Sequence, residues 1–575
     1  MIPNLETFLN SRTSTITSVP QDQITLNLEH KQRLANWLAR PQPPKVSVLM
    51  ALFNSNPEHL TEAIASVWHQ TYPNVELILV DDASTSEDHL SEVFSFAETS
   101  ASQVESLNSR SVRIFRNPKN LGIAGARNTA FSMSSGAFIC IVDHDDIIHP
   151  FALDLLVEKL LSSNATFQYS FECKLKEDGV SYTQFLSKPN FSMFTLLHYN
   201  YICHLTIIQR ELLDELILAD GEVFRRGFDG AEDHDLFLRL STLKNFKPGV
   251  VPLFLYYWRM SPTSTAQSDS NKPLAILRSQ IAAKESIERA AKKVNFEFRS
   301  GAELFIHRSH SCLTLKKRWF RRGSKVSIIF FGAEPPTQEQ LELWQRQKDV
   351  QILSHCYVNS PAERLVDYRT IDRKIRDYIH SDTVLIVHSG VNPLQPESLY
   401  QLSSWLHLFP DTGTVTASLI DLLHFPDLAN SAADSIWGIG GYRFKPKLGY
   451  AGFPRLETRA DKSSFVFESH ETLSPSVLLI SIDPKQYIKA GGFRYDLFAN
   501  RLADLDLGLR LRRLGFRPLN IGGGFFSGTK LFDLAFGDNA PEEAHLVEMV
   551  SQQFDQSIFQ LGYDHAYRAY YGWNH

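Results

Sequence analysis

Short, nearly continuous apolar runs alternate with amphipathic segments along residues 45–146, and this alternation limits the fold more than any other feature of the chain. KVSVLMALFN (45–54), VELILVDD (75–82) and AFICIVDHDD (137–146) have the length and uniform apolar character of strands buried on both faces. Between the first two runs, PEHLTEAIASVWHQ opens with Pro57 and repeats apolar residues at helical spacing. The alternation predicts βαβ units, and therefore an α/β fold with a mostly parallel, Rossmann-like sheet between helices.

A second start of the same kind lies far along the chain. KVSIIFFG (325–332) echoes KVSVLMALFN, and ADLDLGLRLRRLGF (503–516) echoes FDGAEDHDLFLRL (228–240). Two landmarks in the same order predict two tandem copies of one fold, which is a duplication of long period and not a solenoid repeat. The predicted layout is an N-terminal helical arm (1–44), a first domain (45–270), a helical linker (271–323) and a second domain (324–575).

The composition excludes several classes of protein. Of 575 residues, 43% are hydrophobic and 21% charged, and 58 basic against 64 acidic residues give a net charge of −6. A nucleic-acid-binding protein normally carries a basic excess, so we expect no nucleic-acid partner. The five cysteines are odd in number and none lies at metal-ligand spacing from another, which argues against a disulfide framework.

The sequence shows neither a membrane-spanning run nor a signal peptide. No stretch reaches the ~18 consecutive apolar residues of a transmembrane helix. The segment MIPNLETFLN has acidic and polar residues where a signal peptide needs a basic patch and an apolar core. We therefore expect a cytoplasmic protein. Peripheral association with the inner face of the cell membrane, and homo-oligomerisation, stay open.

Polar residues directly follow three of the predicted strands. They are Phe53 and Asn54 after the first, Asp81 and Asp82 after the second, and Asp143, His144, Asp145 and Asp146 after the third quoted above. The carboxyl ends of parallel strands meet at one edge of a sheet, where open α/β folds bind their ligands. A single aspartate pair of this kind can simply be a solvated strand end, but three polar strand ends together favour a site.

The alternate carboxylates of Asp143 and Asp145 are typical of a site for a hard divalent cation. Such a cation usually bridges one or two carboxylates to substrate phosphates, and it would offset the charge of a departing diphosphate. The alternative is a helix cap, because Asp145 or Asp146 could accept hydrogen bonds from the first free amides of the helix beyond Pro150.

Taken in order, the motifs resemble those of the family 2 glycosyltransferases of the A-type fold. They are VSVLMALFN, LILVDDAS, NLGIAGARNTA, IVDHDD, NYICHL (200–205), GFDGAEDHDLFLRL (227–240) and LYYWRMSPTSTA (255–266). The likeness covers about residues 45–270 and is closest in character to bacterial enzymes of surface-polysaccharide and O-antigen assembly. It implies two tandem A-type glycosyltransferase domains, the second degenerate. It also implies an inverting hexosyltransferase that moves a sugar from a nucleoside-diphosphate donor, expected to be a UDP-sugar, to a glycan or lipid-linked glycan.

The resemblance also implies roles for individual residues. The donor-binding set is Phe53, Asn54, Asp81, Asp82, Arg127, Asp143, Asp145 and Arg259. Asp143 and Asp145 match the family's Asp-X-Asp and would hold Mn²⁺ or Mg²⁺, with Asp145 as the direct ligand. Asp233 matches the catalytic base. The residues implied to contact the acceptor, or to support the other site residues, are His204, Glu232 and Trp258.

Asp233 also has a physical rationale as a base. An inverting transfer needs a group that takes the proton of the acceptor hydroxyl, and a carboxylate at a helix start can be aimed into a cleft. The alternative is compensation of the helix dipole, because Glu232, Asp233 and Asp235 share one first turn, where acids are favoured by ~0.3–1 kcal/mol each. In the same alternative, Asp235 and Arg239, four residues apart, could form a plain surface pair.

One position departs from the family pattern. Many relatives carry a histidine metal ligand in Leu-Tyr-His-Trp-Arg, where this chain has Tyr257. The departure leaves three alternatives open, in which the cation is held by Asp145, diphosphate and water alone, is bound weakly, or is recruited only with the donor. Arg259 would then take more of the diphosphate charge through paired hydrogen bonds.

The second copy lacks the acids of the first. His388-Ser389-Gly390 stands where Asp-X-Asp is expected, DVQILSHCYV (349–358) ends without an aspartate pair, and the helix keeps only Ala503-Asp504-Leu505-Asp506. The sequence predicts a domain that has lost its donor site. The aromatic tail, YDHAYRAYYGWNH (563–575), packs on its own domain in the simpler interpretation and stacks on sugars or dimerises in the other.

Three other functions compete with a single-site transferase. A nucleotidylyltransferase would need glycine and basic residues in the first loop, and MALFNSNPEHL (50–60) has neither. A non-catalytic glycan-binding or scaffold protein is disfavoured because the first copy keeps its carboxylates. A bifunctional enzyme with two donor sites stays open.

Overall fold

The computed structural model describes residues 23–260, 273–293, 324–420 and 479–528, together with short strands between 297 and 320 and between 443 and 471. Left out within these ranges are residues 41, 86–87, 106–109, 177, 180, 187, 189–190, 199, 361–365, 410 and 497–502. The start of the predicted arm and the aromatic tail lie outside the described residues. The chain divides into two compact units, the first ending at Ser286 and the second beginning at Ile287.

The first unit alternates strands and helices as predicted. Its elements are α1 (Gln23–Leu38), β1 (Val46–Leu52), α2 (Pro57–Trp68), β2 (Val75–Asp81), α3 (Asp88–Glu105), β3 (Arg110–Arg116), α4 (Gly122–Met133), β4 (Phe138–Ile141), β5 (Ile147–Ile148), α5 (Ala152–Ser163), β6 (Phe167–Leu175), β7 (Tyr182–Leu186), α6 (Met193–His198), β8 (Thr206–Gln209), α7 (Arg210–Asp220), α8 (Glu232–Leu240) and β9 (Pro248–Arg259). They are followed by α9 (Pro273–Lys293), within which the division between the units falls.

The strands of the first unit form one mixed, mostly parallel sheet in the order β3-β2-β1-β4-β8-β6-β9-β5, with β7 beside β6. Strands β1 to β4 pair in parallel, and Leu52 at the end of β1 lies opposite Asp81 at the end of β2. Every residue of β2 is buried, because helices cover both faces as its apolar run predicts. Asn56 caps α2 by accepting hydrogen bonds from two of its first amides, a contact worth ~1 kcal/mol. The parallel strands therefore bring their polar ends to one edge of the sheet.

The second unit contains a further set of strands and helices. They are β10 (Glu297–Phe298), β11 (Glu303–His307), β12 (His310–Lys316), β13 (Trp319–Phe320), β14 (Ser324–Gly332), α10 (Gln338–Gln345), β15 (Val350–Asn359), α11 (Tyr368–Asp377), β16 (Thr383–His388), β17 (Val391–Pro393), α12 (Ser398–Leu408), β18 (Thr412–Ile420), β19 (Arg443–Phe444), β20 (Pro454–Arg455), β21 (His470–Glu471), β22 (Leu479–Ile482), α13 (Pro484–Lys489), α14 (Ala503–Arg513) and β23 (Arg517–Gly528). The stretch predicted as a helical linker is thus helical over α9 and has short strands beyond it.

The main sheet of the second unit repeats the topology of the first. Its order is β15-β14-β16-β22-β18-β23-β17, with β21 beside β23. Each of its strands can be matched to a strand of the first sheet, in the order β2-β1-β4-β8-β6-β9-β5. Every neighbouring pair is then parallel in both sheets or antiparallel in both. A strand equivalent to β3 is absent from the part of the second unit that the structure describes. The shared topology allows positions in the two sheets to be matched by register.

No helix among the residues just delimited is both long enough and apolar enough to cross a membrane.

Candidate active site

A buried guanidinium joins the segment after β4 to the first turn of α8. Arg127 projects from α4 and is only 4% exposed. Its Nη2 lies 2.6 Å from Asp143 Oδ1, and its Nη1 lies 2.7 Å from Glu232 Oε1. Burial lowers the pKa of Arg127, but the two carboxylates outweigh burial and leave that pKa above its usual range. Arg127 is therefore a fixed cation that links the predicted Asp-X-Asp segment to the predicted base helix.

Glu232 is the buried member of the predicted Glu-Asp pair. Besides Arg127, it accepts a hydrogen bond from the backbone N–H of Gly230 at 2.6 Å. Burial raises the pKa of Glu232, Arg127 opposes that effect and Asp233 adds to it, so that the pKa rises to about 7. The charge of Glu232 therefore changes close to neutral pH.

Asp143 has both carboxylate oxygens engaged by cationic side chains. Arg127 holds Oδ1, and His204 Nε2 lies 3.2 Å from Oδ2. The His204 ring stacks on Tyr256 at 4.6 Å and meets the Trp258 ring edge-on at 5.3 Å. Burial raises the pKa of Asp143, but Arg127 and His204 outweigh it and hold that pKa well below its usual range. Asp143 is thus an ion-paired carboxylate.

His204 in turn lies between two acids. Its Nδ1 is 3.6 Å from Glu172 Oε2, on the side opposite Asp143. Burial lowers the pKa of His204, but the hydrogen bonds and charges of Asp143 and Glu172 raise it to about 10. The ring is consequently an imidazolium at neutral pH, with Nε2 directed at Asp143 and with Nδ1 near the Glu172 charge but without a hydrogen-bond partner among the described residues.

Asp145 and Asp146 have different environments although they are adjacent. The Asp145 carboxylate is half-buried, and among the described residues no side chain donates a hydrogen bond to it. Asp146 is fully buried and accepts hydrogen bonds from Tyr256 Oη at 2.6 Å and from the Arg259 backbone N–H at 2.7 Å. Burial, followed by the charges of Asp145 and Asp143, raises the pKa of Asp146 well above its usual range.

The helix-cap interpretation of Asp145 and Asp146 is wrong. The N-cap position of α5 is Phe151, and no side chain caps that helix end. Asp146 is instead held by β9, and Asp145 is the carboxylate whose oxygens stay accessible.

The side chains around Asp145 fit a divalent cation only if substrate oxygens complete its coordination. No group of three His, Cys, Asp or Glu side chains in the described part of the chain could hold a metal ion. Tyr257, which replaces the family's histidine, packs in a buried cluster against Tyr182 at 5.0 Å and His149 at 6.2 Å. A single carboxylate with diphosphate and water is nevertheless an ordinary environment for Mg²⁺. Asp145 therefore fits the group, whereas the two oxygens of Asp143 are already engaged.

Arg259 is engaged within the first unit. Its Nε donates to the Asp145 backbone carbonyl at 2.8 Å, and its Nη2 forms an ion pair with Glu62 on α2. Arg259 is 4% exposed. These contacts hold the Asp145 segment in place, and a role in donor binding stays a prediction.

Asp233 is the half-buried acid of the first turn of α8. Its Oδ2 accepts a hydrogen bond from Asn200 Nδ2 at 2.8 Å, and its Oδ1 accepts one from the His234 backbone N–H at 2.7 Å. Glu232 and Asp235 are both buried. The tertiary structure thus gives different environments to three acids that the sequence places together, and leaves Asp233 as the least buried of them.

The expectation that Asp235 and Arg239 form a surface pair is wrong. Arg239 Nε donates to Asp235 Oδ2 at 2.8 Å, Arg225 Nε donates to the same carboxylate at 3.1 Å, and Asp235 and Arg239 are almost fully buried. The second unit repeats this arginine clamp, in which Asp506 accepts from Arg494 Nε at 3.0 Å and from Arg510 Nε at 2.9 Å. The clamp belongs to the shared fold.

The other predicted donor residues lie at the ends of β1 and β2. Phe53 is 45% exposed, and Asn54 has a φ of 48° and accepts from the Thr85 backbone N–H at 2.9 Å. Asp82 accepts from Asn117 Nδ2 at 2.7 Å.

Asp81 has one oxygen that makes no hydrogen bond. Its Oδ1 accepts from Ser84 Oγ at 2.6 Å. Its Oδ2 is buried and without a hydrogen-bond partner among the described residues, with Arg116 Nη1 3.5 Å away. A buried, unsatisfied acceptor is costly, which is why such atoms often mark ligand sites.

Several residues of the site escape sequence reasoning. Asn200 contacts Asp233, Tyr256 contacts Asp146, and a buried ion pair joins Lys188 Nζ to Glu172 Oε2 at 3.0 Å. Asn200 lies in the quoted motif NYICHL, which was a usable signal. Glu172 and Lys188 have no local signal, because a lone acid in a strand and a lone lysine in a loop are ordinary.

The strand ends at the matching edge of the second unit carry no acid at the registers of Asp81, Asp82 and Asp143. Val46 pairs with Phe138 and Val326 with Thr383, so His388 stands at the register of Asp143. Asn359 and Ser360 stand in the same way at the registers of Asp81 and Asp82. In the helix that matches α8, Ala503 stands for Glu232, whereas Asp504 keeps the acid of Asp233. Burial lowers the pKa of His388 to about 4, so its ring is neutral at pH 7.

Residues 47–217 match the family model described as glycosyl transferase family 2. The first unit carries a family 2 glycosyltransferase domain. The match covers β1 to β8, including Arg127, the Asp-X-Asp segment and His204. Asp233 and Arg259 lie beyond it, so that their assignment depends on the motifs and the geometry.

The matches to two curated relatives extend over both units. The chain is 27% identical over 525 residues to the "Uncharacterized protein y4gI" of Sinorhizobium fredii, covering 84% of this chain and 53% of the relative. It is 24% identical over 510 residues to the "O-antigen biosynthesis protein RfbC" of Myxococcus xanthus, covering 82% of this chain and 36% of the relative. The chain spans about half, or less, of the length of these relatives.

A shorter match and a solved structure are each similar to part of the chain. The chain is 35% identical over 125 residues to the "UDP-Glc:alpha-D-GlcNAc-diphosphoundecaprenol beta-1,3-glucosyltransferase WfgD" of Escherichia coli, covering 22% of this chain and 44% of the relative. The crystal structure of residues 1–349 of S. aureus TarS with UDP-GlcNAc is 18% identical, with a TM-score of 0.33, and covers 44% of this chain and 72% of that one. At this score the structural likeness supports no statement about the chain.

Proposed function

We propose that the first unit is an inverting hexosyltransferase that uses a nucleoside-diphosphate sugar, in the first place a UDP-sugar, and a glycan or lipid-linked glycan acceptor. The observation that carries the proposal is the placement of Asp233, which is the least buried acid of its turn and directly follows Glu232, the residue that Arg127 links to Asp143. The family match and the names of the O-antigen and glucosyltransferase relatives support the substrate classes. We place the reaction in bacterial surface-polysaccharide synthesis, in the cytoplasm at the inner face of the membrane.

The proposed reaction needs one base and one means of offsetting the charge of the leaving group. Asp233 takes the proton of the acceptor hydroxyl while that oxygen attacks the anomeric carbon from the face opposite the diphosphate. The bond between the anomeric carbon and the diphosphate oxygen breaks, and the nucleoside diphosphate leaves with the electron pair. When bound, Mg²⁺ or Mn²⁺ at Asp145 would offset the negative charge of that diphosphate.

The residues at the ends of β1 and β2 suit a nucleoside. Phe53 is an exposed ring on which a base can stack, and stacking of this kind is typically worth ~1–3 kcal/mol. Asp81 Oδ2 is a buried acceptor without a hydrogen-bond partner among the described residues, which suits the N–H of a pyrimidine ring. This pair supports UDP as the nucleotide.

The test of the base is Asp233→Asn with Glu232→Gln as its matched control. Asparagine keeps the size of Asp233 and can still bond Asn200, so donor affinity and stability should change little. We expect kcat to fall by ~10²–10⁴-fold, which is the usual contribution of a general base. Glu232→Gln should cost less turnover, because Glu232 is turned into the protein against Arg127. If both variants retain kcat within a few-fold of the wild type, the base lies elsewhere.

The bifunctional alternative is tested by stoichiometry. Titration calorimetry of the full chain with UDP and Mg²⁺ should give one site per chain, because the second unit has neutral side chains at the registers of Asp81, Asp82 and Asp143. Asp145→Ala should weaken that single site. Two sites, one of them insensitive to Asp145→Ala, would favour the bifunctional enzyme.

A further inference from the structure

One short segment, Asn200–His204, contacts both the proposed base and the ion-paired aspartate of the Asp-X-Asp segment. Asn200 Nδ2 donates to Asp233 Oδ2 at 2.8 Å, and His204 Nε2 lies 3.2 Å from Asp143 Oδ2. We call residues 200–204 the clamp segment. Its position sets the direction of the proposed base and of the ion-paired aspartate together.

We propose that the buried ion pair between Glu172 and Lys188 is a positioning device that fastens the clamp segment and thereby sets the rate of transfer without touching the substrate. The inference rests on the proposed function for its effect on turnover. Glu172 and Lys188 are positioning residues, and they act through Asn200 and His204.

The contacts of Lys188 are concentrated on the clamp segment. Its ammonium donates to the Ile202 backbone carbonyl at 2.6 Å, to the His204 backbone carbonyl and to Glu172 Oε2 at 3.0 Å. Glu172 Oε2 also accepts from the His204 backbone N–H at 3.3 Å. The three hydrogens of the ammonium are thus matched by three acceptors, two of which belong to the segment.

The segment has a conformation that needs such support. Cys203 has a φ of 38°, in the left-handed region that non-glycine residues seldom adopt. Its backbone N–H donates to Asn200 Oδ1 at 3.2 Å, which closes a tight turn. Strained residues of this kind persist only where their surroundings hold them, and they concentrate at functional sites.

Stability is a weak explanation for the ion pair. Glu172 and Lys188 are each about 3% exposed, and the cost of removing two charges from water often equals or exceeds their mutual attraction. Well-packed apolar residues would stabilise the same fold at least as well.

The second unit supplies a comparison inside the same chain. In the first sheet, Phe167 of β6 pairs with Ile208 of β8. In the second sheet, Thr414 of β18 pairs with Ile482 of β22, the strand that matches β8. Glu172 lies five residues after Phe167, and Leu419 lies five residues after Thr414, so Leu419 stands at the register of Glu172. The shared fold therefore forms with an apolar residue at this position, in the unit that also lacks acids at the registers of Asp81, Asp82 and Asp143, whereas the arginine clamp of Asp506 is retained.

The decisive variant is Glu172→Leu/Lys188→Met, which removes both charges together and leaves no unpaired charge in the core. Leucine is the residue that the second unit has at the matching register. We expect a melting temperature within a few degrees of the wild type, an unchanged Kd for UDP and a kcat lower by about tenfold or more. Arg33→Met is the matched control, since it removes an ion pair to buried Asp154 far from the clamp segment and should leave kcat unchanged.

Two further measurements separate positioning from a merely structural role. Asn200→Ala should lower kcat, and should lower it by a smaller factor in the Glu172→Leu/Lys188→Met background, because residues that act as a unit are not additive. A crystal structure of the double variant should show Asn200 displaced from Asp233, a readout that does not depend on turnover.

A double variant with wild-type kcat, or with the contact between Asn200 and Asp233 intact, would overturn the inference. The proposed function fails differently, through absence of UDP binding and of turnover by the wild-type protein with every nucleotide sugar tried.

Discussion

Replacement of Arg127 by methionine is the perturbation whose consequences the structure defines most sharply. The change removes the guanidinium that lies 2.6 Å from Asp143 and 2.7 Å from Glu232, and leaves two carboxylates facing each other in a buried site. Breaking a buried ion pair by removing one partner usually costs ~3–5 kcal/mol. Two features reduce that cost. Asp143 keeps its contact with His204, and Glu232, with a pKa of about 7, readily takes up a proton. We expect a loss of ~3 kcal/mol in the free energy of unfolding at pH 7.

The pH dependence of this loss provides an independent check. The pKa of folded Glu232 is raised above the value of about 4.5 that it has when unfolded, so its contribution to stability falls as pH rises from about 4.5 through 7. Without Arg127 the pKa of folded Glu232 rises further, and the fall continues to higher pH. Urea unfolding at pH 6, 7 and 8.5 should therefore show the gap between Arg127→Met and the wild type widening as pH rises.

Glu232→Gln in the Arg127→Met background is the control for this reasoning. Glutamine cannot ionise, so the added pH dependence should disappear and part of the lost stability should return. The reasoning is refuted if Arg127→Met costs less than ~1 kcal/mol, or if Glu232→Gln leaves the pH dependence of Arg127→Met unchanged. Turnover should stay low in both backgrounds, because Asp143 and the first turn of α8 have lost their common anchor.

Three further predictions concern the cation, the two arginine clamps and His388 of the second unit. Asp145→Ala should lower turnover by ~10²-fold or more with little change in stability, and excess chelator should abolish wild-type activity; full activity in chelator would contradict the metal assignment. Asp235→Asn and Asp506→Asn should each cost ~3 kcal/mol in unfolding experiments, because each removes the charge opposite two arginines; a large effect at only one of them would contradict the equivalence of the clamps. His388 has a pKa lowered to about 4 from 6.5, so its stabilising effect is full above pH 6.5 and is lost as pH falls towards 4, by ~3 kcal/mol in total; a His388→Leu variant whose stability falls as steeply as that of the wild type would contradict this.

The acids of α8 show where sequence reasoning ends. A helix start with Glu232, Asp233 and Asp235 could be predicted, because caps and periodicity are local signals. The different environments of the three acids could not, since they depend on Arg127 from α4, Asn200 from the clamp segment and Arg225 from the preceding loop. Burial of Asp235 and Arg239 follows from that packing, which is why the predicted surface pair was wrong.

In the strands, Tyr256 and Tyr257 at the end of β9 likewise depend on packing that the sequence does not show. Alternation along a strand predicts that Tyr256 and Tyr257 point to opposite faces. Which face meets Asp146 is decided by the neighbouring strands, and the structure turns Tyr256 to the site and Tyr257 to a buried cluster. The departure from the family pattern at Tyr257 therefore concerns a position whose side chain packs in the core.

By itself, the sequence determined the elements that arise from local patterns: the buried strands, the polar residues at their ends, the repeat of the fold in the second unit and the loss of acids there. These follow from hydrophobic period, turn residues and motif order, which are properties of short segments. Only the tertiary structure decided which carboxylates are ion-paired and which stay partly exposed, and it alone revealed Glu172 and Lys188. The physical reason is that burial and charge pairing depend on side chains tens to hundreds of residues apart, which folding brings within hydrogen-bond distance.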